Sequence, residues 1–333
     1  MQVPSTLPAV DLEHAVAAAV RAPSLLNTQP WLFVADDDVV ELHADLRRAL
    51  PTLDPLGRAL TVSCGAALLG LRLAVMHQGR EPVVRLLPRS AEPEVLAELR
   101  IAGPRRHVPR EVAARDEQLF LAIARRRTNR RPFRDERPPD SVLEALTAAA
   151  AVENARLDLL DSIDTRQVVD LVHDADRAQR FDPLVRAEVR RWTHRPADAD
   201  DGLRDIELGP RSSDPSAAVR DFALGAPVGG RAKATFERRP LLAVLSTNGD
   251  GRADWLRAGQ ALHRVLLAAT VADVSCSLLT QPLERHDLRW LLRPPRTAAG
   301  VPQALLRLGY GPEAPESRRR HVDDVLIHRS ARA

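Results

Sequence analysis

Two apolar helical stretches of this chain repeat one another. When CGAALLGLRLA, starting at Cys64, is set above AGQALHRVLLA, starting at Ala258, Gly65 falls on Gly259, Ala67 on Ala261, Leu68 on Leu262, Leu73 on Leu267 and Ala74 on Ala268. Downstream, Leu99-Arg100-Ile101 and Leu306-Arg307-Leu308 each run on to a Gly-Pro. Small residues at Gly65, Ala67, Gly259 and Ala261 allow two helices to approach closely across a two-fold-like axis. A duplicated unit that buries its central helix against its twin is an internal homodimer. The length agrees, because 333 residues exceed the roughly 100–200 typical of one domain. The division expected is a first half over 1–115 and a second over 116–333.

The local patterns fill both halves in a similar order. Residues 11–21 carry helical apolar spacing with Asp11 as N-cap, and the helix stops before Pro23. Residues 31–45 read as two short strands around the acidic turn Asp36-Asp37-Asp38. An apolar helix follows over 59–77, ending near Gly79. PVVRLLP and LAELRIAG are strand candidates, and 115–127 is a helix that ends in an arginine run. In the second half helices are expected at 140–150, 164–192 and about 253–272. Strands are expected at 157–160, at 241–246 and in PQALLRLGYG. Residues 194–238 have no sustained period and are rich in Pro, Gly, Asp and Ser, the composition of a lid or linker. Trp192 and Phe222 would pin such a lid.

Composition narrows the function classes. Lys233 is the only lysine among 48 basic residues, and net charge is +3. The arginine total therefore carries no argument, although the placement of each guanidinium does. With 3% aromatic residues there is no stacking stripe beside the basic clusters, which argues against nucleic acid. Cys64 and Cys276 lie in apolar segments outside any CxxC pair, so they read as buried thiols in a reducing compartment. No basic-then-apolar leader opens the chain and no apolar run reaches about 18 residues. The expectation is a cytoplasmic protein with no membrane partner. His43, His107, His263 and His286 have no partner that would make them a general base.

Three segments carry chemistry. In Pro23-Ser24-Leu25-Leu26-Asn27-Thr28-Gln29-Pro30-Trp31 a helix gives way to a strand through a polar turn. That turn presents backbone groups and the Ser24, Asn27 and Gln29 side chains in a way that suits the edge of a planar heterocycle, but composition alone favours an ordinary helix-to-strand connection capped by Ser and Asn. In Arg125-Arg126-Arg127-Thr128-Asn129-Arg130-Arg131-Pro132-Phe133, residues Arg126, Thr128 and Arg130 alternate onto one face if the stretch is extended. Two guanidinium groups flanking a hydroxyl suit a phosphate or a carbonyl, although a solvated helix C-terminus would look the same. The third segment is Ser317-Arg318-Arg319-Arg320-His321.

Together these segments resemble the nitroreductase family of FMN-dependent oxidoreductases. PSLLNTQPW matches that family's P-S-x-x-N-x-Q-P-W, and RRTNRRPF matches its R-x-S-x-[RK]…F with Thr for Ser. Thr280-Gln281-Pro282-Leu283-Glu284 is similar to its P-I-E segment near flavin N5. The motifs are divided between the halves, which resembles the fused, single-flavin, lidded Acg subfamily. The resemblance implies an α+β nitroreductase-like fold duplicated in tandem, each half a mostly antiparallel sheet flanked by helices, with FMN at the junction. It places Pro23, Ser24, Leu25, Asn27, Gln29, Arg126, Thr128, Arg130, Glu284, Arg318 and Arg320 around the cofactor. Arg127, Arg131 and Arg319 are alternatives one residue out of register.

No side-chain nucleophile or metal is then needed, because the chemistry sits at flavin N5. One function expected is NAD(P)H-dependent ping-pong hydride transfer to a small nitroaromatic, quinone or other conjugated acceptor. Another is FMN sequestration under the lid, and a third is oxygen-dependent dehydrogenation of a peptide or natural product. No GxGxxG dinucleotide fingerprint is present, so nicotinamide would dock over the flavin. A pseudo-dimeric monomer is expected, with higher assembly open.

Overall fold

A computed structural model describes residues 10–329 apart from 215, 223, 225–230 and 294–299. The stretch searched for a leader lies, through residue 9, outside the described residues, as do parts of the 194–238 insert. In chain order the main elements are α1 (Leu12–Ala19), β1 (Trp31–Asp36), β2 (Val39–Ala44), α2 (Arg58–His77), β3 (Arg80–Leu86), β4 (Val95–Pro104) and α3 (Arg110–Arg125). There follow α4 (Asp140–Val152), β5 (Ala155–Leu159), α5 (Ser162–Phe181), α6 (Pro183–Trp192), β6 (Leu241–Thr247), α7 (Arg252–Val271), β7 (Ser275–Leu278), β8 (Val301–Gly309) and β9 (Leu326–His328).

The strands form two mostly antiparallel sheets, in the orders β9-β1-β2-β4-β3 and β7-β8-β6-β5. In the first sheet β9 alone is parallel to its neighbour, with Phe33 opposite Leu326. The tail of the chain thus crosses back to complete the sheet built by the front, an exchange that three residues of sequence did not announce. The boundary expected at 115/116 lies inside α3, whose Leu119, Ala122 and Ile123 pack into the core of the first sheet. The single helix expected over 164–192 is instead α5 and α6, broken at Asp182-Pro183. Proline cannot continue a helix, and Asp182 caps the new one by accepting from the Leu184 and Val185 amides.

The sheets are held together by α2 against α7. A Cβ on Gly259 would enter the Val62 carbonyl oxygen and lie 2.8 Å from Gly65 Cα, and one on Gly65 would enter the Leu256 carbonyl oxygen. The alignment that sets Gly65 on Gly259 also sets Val62 on Leu256, so the two contacts are reciprocal. The side chains follow the same exchange: Leu256 and Leu267 of α7 enter the first core, and Val62 of α2 enters the second. Helix α2 is long and apolar enough by composition to cross a membrane, but most of it is buried inside the fold.

Below the glycines a buried ion network closes the seam. Glu153 accepts from Arg72 at 2.8 Å and from Arg264 at 2.9 Å, and Arg72 also reaches Gln260 at 2.7 Å. Although burial opposes ionisation, the two guanidinium groups hold the Glu153 carboxyl below its ordinary value. His263 is fully buried with Nδ1 2.7 Å from the Ala66 carbonyl oxygen. Burial, then Arg126, press its pKa down to about 3, so it stays neutral.

Gly259→Ala is expected to destabilise the chain by about 1–3 kcal/mol through overpacking. Gly103→Ala, with no atom within 4 Å of the added carbon, should cost less than about 0.5 kcal/mol. Urea denaturation of the two variants measures the difference.

Candidate functional site

After α1, whose end packs on Gly70 in the middle of α2, the chain turns through Pro23–Pro30 toward the first turns of α2, where the Leu25 amide meets Ser63 Oγ at 3.4 Å. Leu26, Asn27 and Gln29 all take positive φ, at 51°, 55° and 51°, a region costly for non-glycine residues. The surroundings hold them there. Asn27 Nδ2 donates to the Gly202 carbonyl at 2.9 Å and the Arg318 carbonyl at 3.2 Å. Gln29 Nε2 donates to the Asp200 carbonyl at 2.7 Å, and its Oε1 accepts from the Arg320 amide at 2.9 Å. Both side chains are spent on stitching the insert and the C-terminal arm to this turn. Pro23, Ser24 and Leu25 remain on its open side.

That open side is one wall of a partly enclosed cavity. Arg58, Ala59, Val62 and Ser63 of α2 form a second wall, and Thr280, Leu283 and Glu284 lie opposite with Gln303 to Leu305 of β8. Arg130, Arg220 and Phe222 cover it. The insert arrives there through a cluster in which Trp192, Leu203, Leu208, Phe222 and Leu224 pack on Leu26, Leu50 and Leu53. Gly209, at φ 71°, makes the closest approach: a Cβ there would enter the Arg130 carbonyl oxygen. Phe222 lies between two guanidinium groups, Arg130 and Arg220, each 5.2 Å from its ring centre. Arg220 also pairs with Glu284, both side chains being buried, and donates to Thr280.

The segment Arg126–Arg130 leaves α3 and runs beside β7, where the Asn129 amide donates to the Cys276 carbonyl at 2.8 Å. Asn129 turns inward to Ser275 and Pro312, which leaves its alternating neighbours on the other side. Arg130 faces the large cavity, half-buried, with Nη1 3.0 Å from the Glu207 carbonyl. Arg126 and Thr128 line a smaller pocket with Arg21, Arg127, Ser317 and Arg319.

This smaller pocket is strongly cationic. Two of its arginines pair with Glu316 beside it: Arg21, and Arg127 at 3.2 Å. Arg126 donates from Nη2 to the Arg21 carbonyl at 3.2 Å, but its buried Nε and Nη1 have no partner, nor has Arg319 Nε. Burial, then the neighbouring guanidinium groups, lower Arg126 to about 10 and Arg319 to about 9. Both remain cations at neutral pH with unmet donors. Such groups are costly unless an anion meets them.

The C-terminal clamp departs from its expected register. Arg318 is exposed and turns to the Asp198 carbonyl and Asp200. Arg320 enters a separate cleft beside Asp45 and donates to the Asp324 carbonyl at 2.7 Å. Arg319 is the one that joins Arg126. In an extended stretch neighbouring side chains take opposite sides, so 318 and 320 turn away together once 319 turns in. Glu284 lines the cavity, but its carboxylate is held by Arg220 and by Gln179 at 2.6 Å. Arg58, Arg220 and Gln303 were missed by sequence reasoning. Arg58 sat one residue outside the expected helix, and Arg220 lies in the insert without any period. Cys276 and Cys64 are free and buried, which pushes the first thiol up to about 12 and the second higher.

On α5, Asp176 accepts from Gln281 at 3.2 Å beneath this cover. Burial, opposed by Arg220 and the Gln281 bond, raises its carboxyl to about 6 from 3.8. The folded pKa lies above the unfolded one, so the unfolded chain ionises first and stability falls as pH rises from about 4 to 6. Asp176→Asn should therefore gain roughly 1–3 kcal/mol at pH 7.5 and nothing at pH 4. Urea melts at the two pH values test the sign.

No protein-family model matches the chain. It is 31% identical over 331 residues to a Mycobacterium tuberculosis protein named "Putative NAD(P)H nitroreductase acg", covering 97% of this chain and 98% of that one. It is 33% identical over 334 residues to an uncharacterised M. tuberculosis protein, covering 95% and 92%. Among solved structures, a nitroreductase with bound FMN from Bacteroides fragilis aligns at 14% identity and a TM-score of 0.36, over 61% of this chain and 92% of that one.

Proposed function

The chain belongs to the nitroreductase family, in its Acg-like branch, and from that footing we propose that it is an FMN-binding oxidoreductase using one site at the junction of two tandem halves. The observation that carries the reading is the pair of arginines with buried, unmet donors, Arg126 and the half-buried Arg319, beside the Thr128 hydroxyl. A phosphate monoester brings the charge and the acceptor oxygens these groups lack. The reciprocal Gly65 and Gly259 contacts support the tandem, with α2 against α7 standing in for a dimer contact. The halves proposed remain 1–115 and 116–333, apart from the shared helix α3 and the returning strand β9. The assembly proposed is a pseudo-dimeric monomer in the cytoplasm.

In this reading Arg126, Thr128 and Arg319 hold the phosphate, and Pro23, Ser24 and Leu25 border the ring. FMN bound there would supply hydride chemistry, from reduced nicotinamide to a conjugated acceptor such as a nitroaromatic or quinone. Arg130 sits on the cavity wall with a single carbonyl partner and a ring face beneath it. It is free to stabilise negative charge at the pyrimidine edge, and a preorganised cation in a dry site is well suited to that. The insert excludes water, with Phe222 as its cover and Leu26, Leu50 and Leu53 as its seat. Asn27 and Gln29 act one step back, by holding the turn in its left-handed shape.

A second reading, FMN sequestration with little turnover, is favoured by the Arg220–Glu284 pair. With both side chains buried, that pair ties the insert to the Thr280–Glu284 segment and holds the cover down over the cavity.

Two measurements decide these points. Arg126→Ala and Arg319→Ala should each weaken FMN binding at least tenfold in a fluorescence titration, whereas Arg257→Ala, on the exposed side of α7, should leave it unchanged. Equal loss in all three would refute the phosphate assignment. Anaerobic NADH or NADPH should bleach the visible flavin band within seconds if the protein is an oxidoreductase. Bleaching by dithionite alone supports sequestration.

A further inference from the structure

The cavity holds more positive charge than FMN would use. Arg58, Arg130 and Arg220 face it against the single carboxylate of Glu284. Arg220 and Glu284 neutralise one another, and Arg130 belongs to the flavin edge in the reading above. Arg58 is left over. It is 7% exposed, in the first turn of α2. Its Nη1 donates to the Gln303 carbonyl at 2.9 Å and to Gln303 Oε1 at 3.2 Å, and its Nη2 to the Leu283 carbonyl at 3.4 Å. All three acceptors are neutral. Among the described residues Arg58 makes no ion pair within 4 Å; the carboxylates of Asp54, Asp250 and Glu284 act on it only from farther away.

Its position is held from behind. Gln303 is itself fixed, accepting from Arg289 at 3.0 Å and donating to Thr247 at 2.8 Å. Burial, then Arg289, lower Arg58 to about 10, so it is charged at neutral pH. A buried cation with only carbonyl partners carries a desolvation cost that an incoming anion relieves. The planar guanidinium fork has donors to spare beyond the three bonds described, and it matches a carboxylate in shape. Next to it, Val62, Leu262, Leu278 and Leu305 offer an apolar surface for a flat ring.

We infer that the electron acceptor of this site is a conjugated ring bearing a carboxylate, and that Arg58 is the specificity-determining residue that grips the carboxylate. The inference rests on the FMN reading of the same cavity and narrows its substrate class.

The test titrates FMN-loaded protein, without reductant, with 4-nitrobenzoate and with the uncharged 4-nitrobenzamide, following perturbation of the flavin band at pH 7.5 and low salt. The acid is expected to bind at least tenfold more tightly. Arg58→Gln should bring the two ligands within about twofold and still retain FMN, and Arg58→Lys should keep part of the preference. Equal affinities in the native protein, or binding of neither ligand, overturn the inference without any variant. A preference unchanged in Arg58→Gln also overturns it. The FMN reading fails by a different result, a native protein that takes up no FMN. In that case calorimetry of benzoate against benzamide on the flavin-free chain still reads Arg58: a benzoate preference lost in Arg58→Gln supports the carboxylate grip, and none refutes it.

Discussion

Everything functional in this molecule depends on how closely α2 can lie against α7. Gly65 and Gly259 each face a backbone carbonyl of the other helix, with no room for a methyl group. That approach sets the spacing of the two sheets. It also sets the distance between the turn at Pro23–Pro30, which leans on the α2 N-terminus, and the Arg126–Arg130 segment, which runs beside β7. A wider seam would draw these two groups of residues apart.

Around that seam the fold accumulates buried cations in two distinct ways. Along the helices, Arg72 and Arg264 share Glu153, and the pairing is internal and complete. Around the candidate site, Arg58, Arg126, Arg130 and Arg319 are met by carbonyls and a ring face, with several donors left over. The same residue type is thus paired with a carboxylate in one place and left with unmet donors in another. The difference is the presence of a carboxylate, which a count of arginines does not reveal. The insert adds a third role, because Arg220 fastens the cover to the segment that lines the cavity floor.

Much of the architecture was legible from local pattern. The repeat of small and apolar residues marked α2 and α7 as partners, and the turn at Asp36–Asp38 joins the two strands expected around it. Trp192 and Phe222, singled out as pins, are both buried in the cluster under the insert. Alternation along Arg126–Arg130 held only in part, because Arg127 joins Arg126 and Thr128 in the small pocket while Arg130 lines the large cavity. Less legible was the division of labour in the PSLLNTQPW turn. Ser24 borders the cavity, whereas Asn27 and Gln29, equally polar, are used up on backbone groups nearly two hundred or more residues away.

The sequence by itself determined the elements, the seam and the neighbourhood of the site, because periodicity, capping and small-residue spacing are written within a few turns of chain. Only the tertiary structure decided that Arg319 and not Arg318 or Arg320 turns inward, that Arg58 makes no direct ion pair, that Arg220 closes on Glu284, and that β9 returns to the first sheet. Each of those outcomes depends on which distant surface a residue meets, and burial and charge pairing between segments far apart in the chain leave no periodic trace in either one.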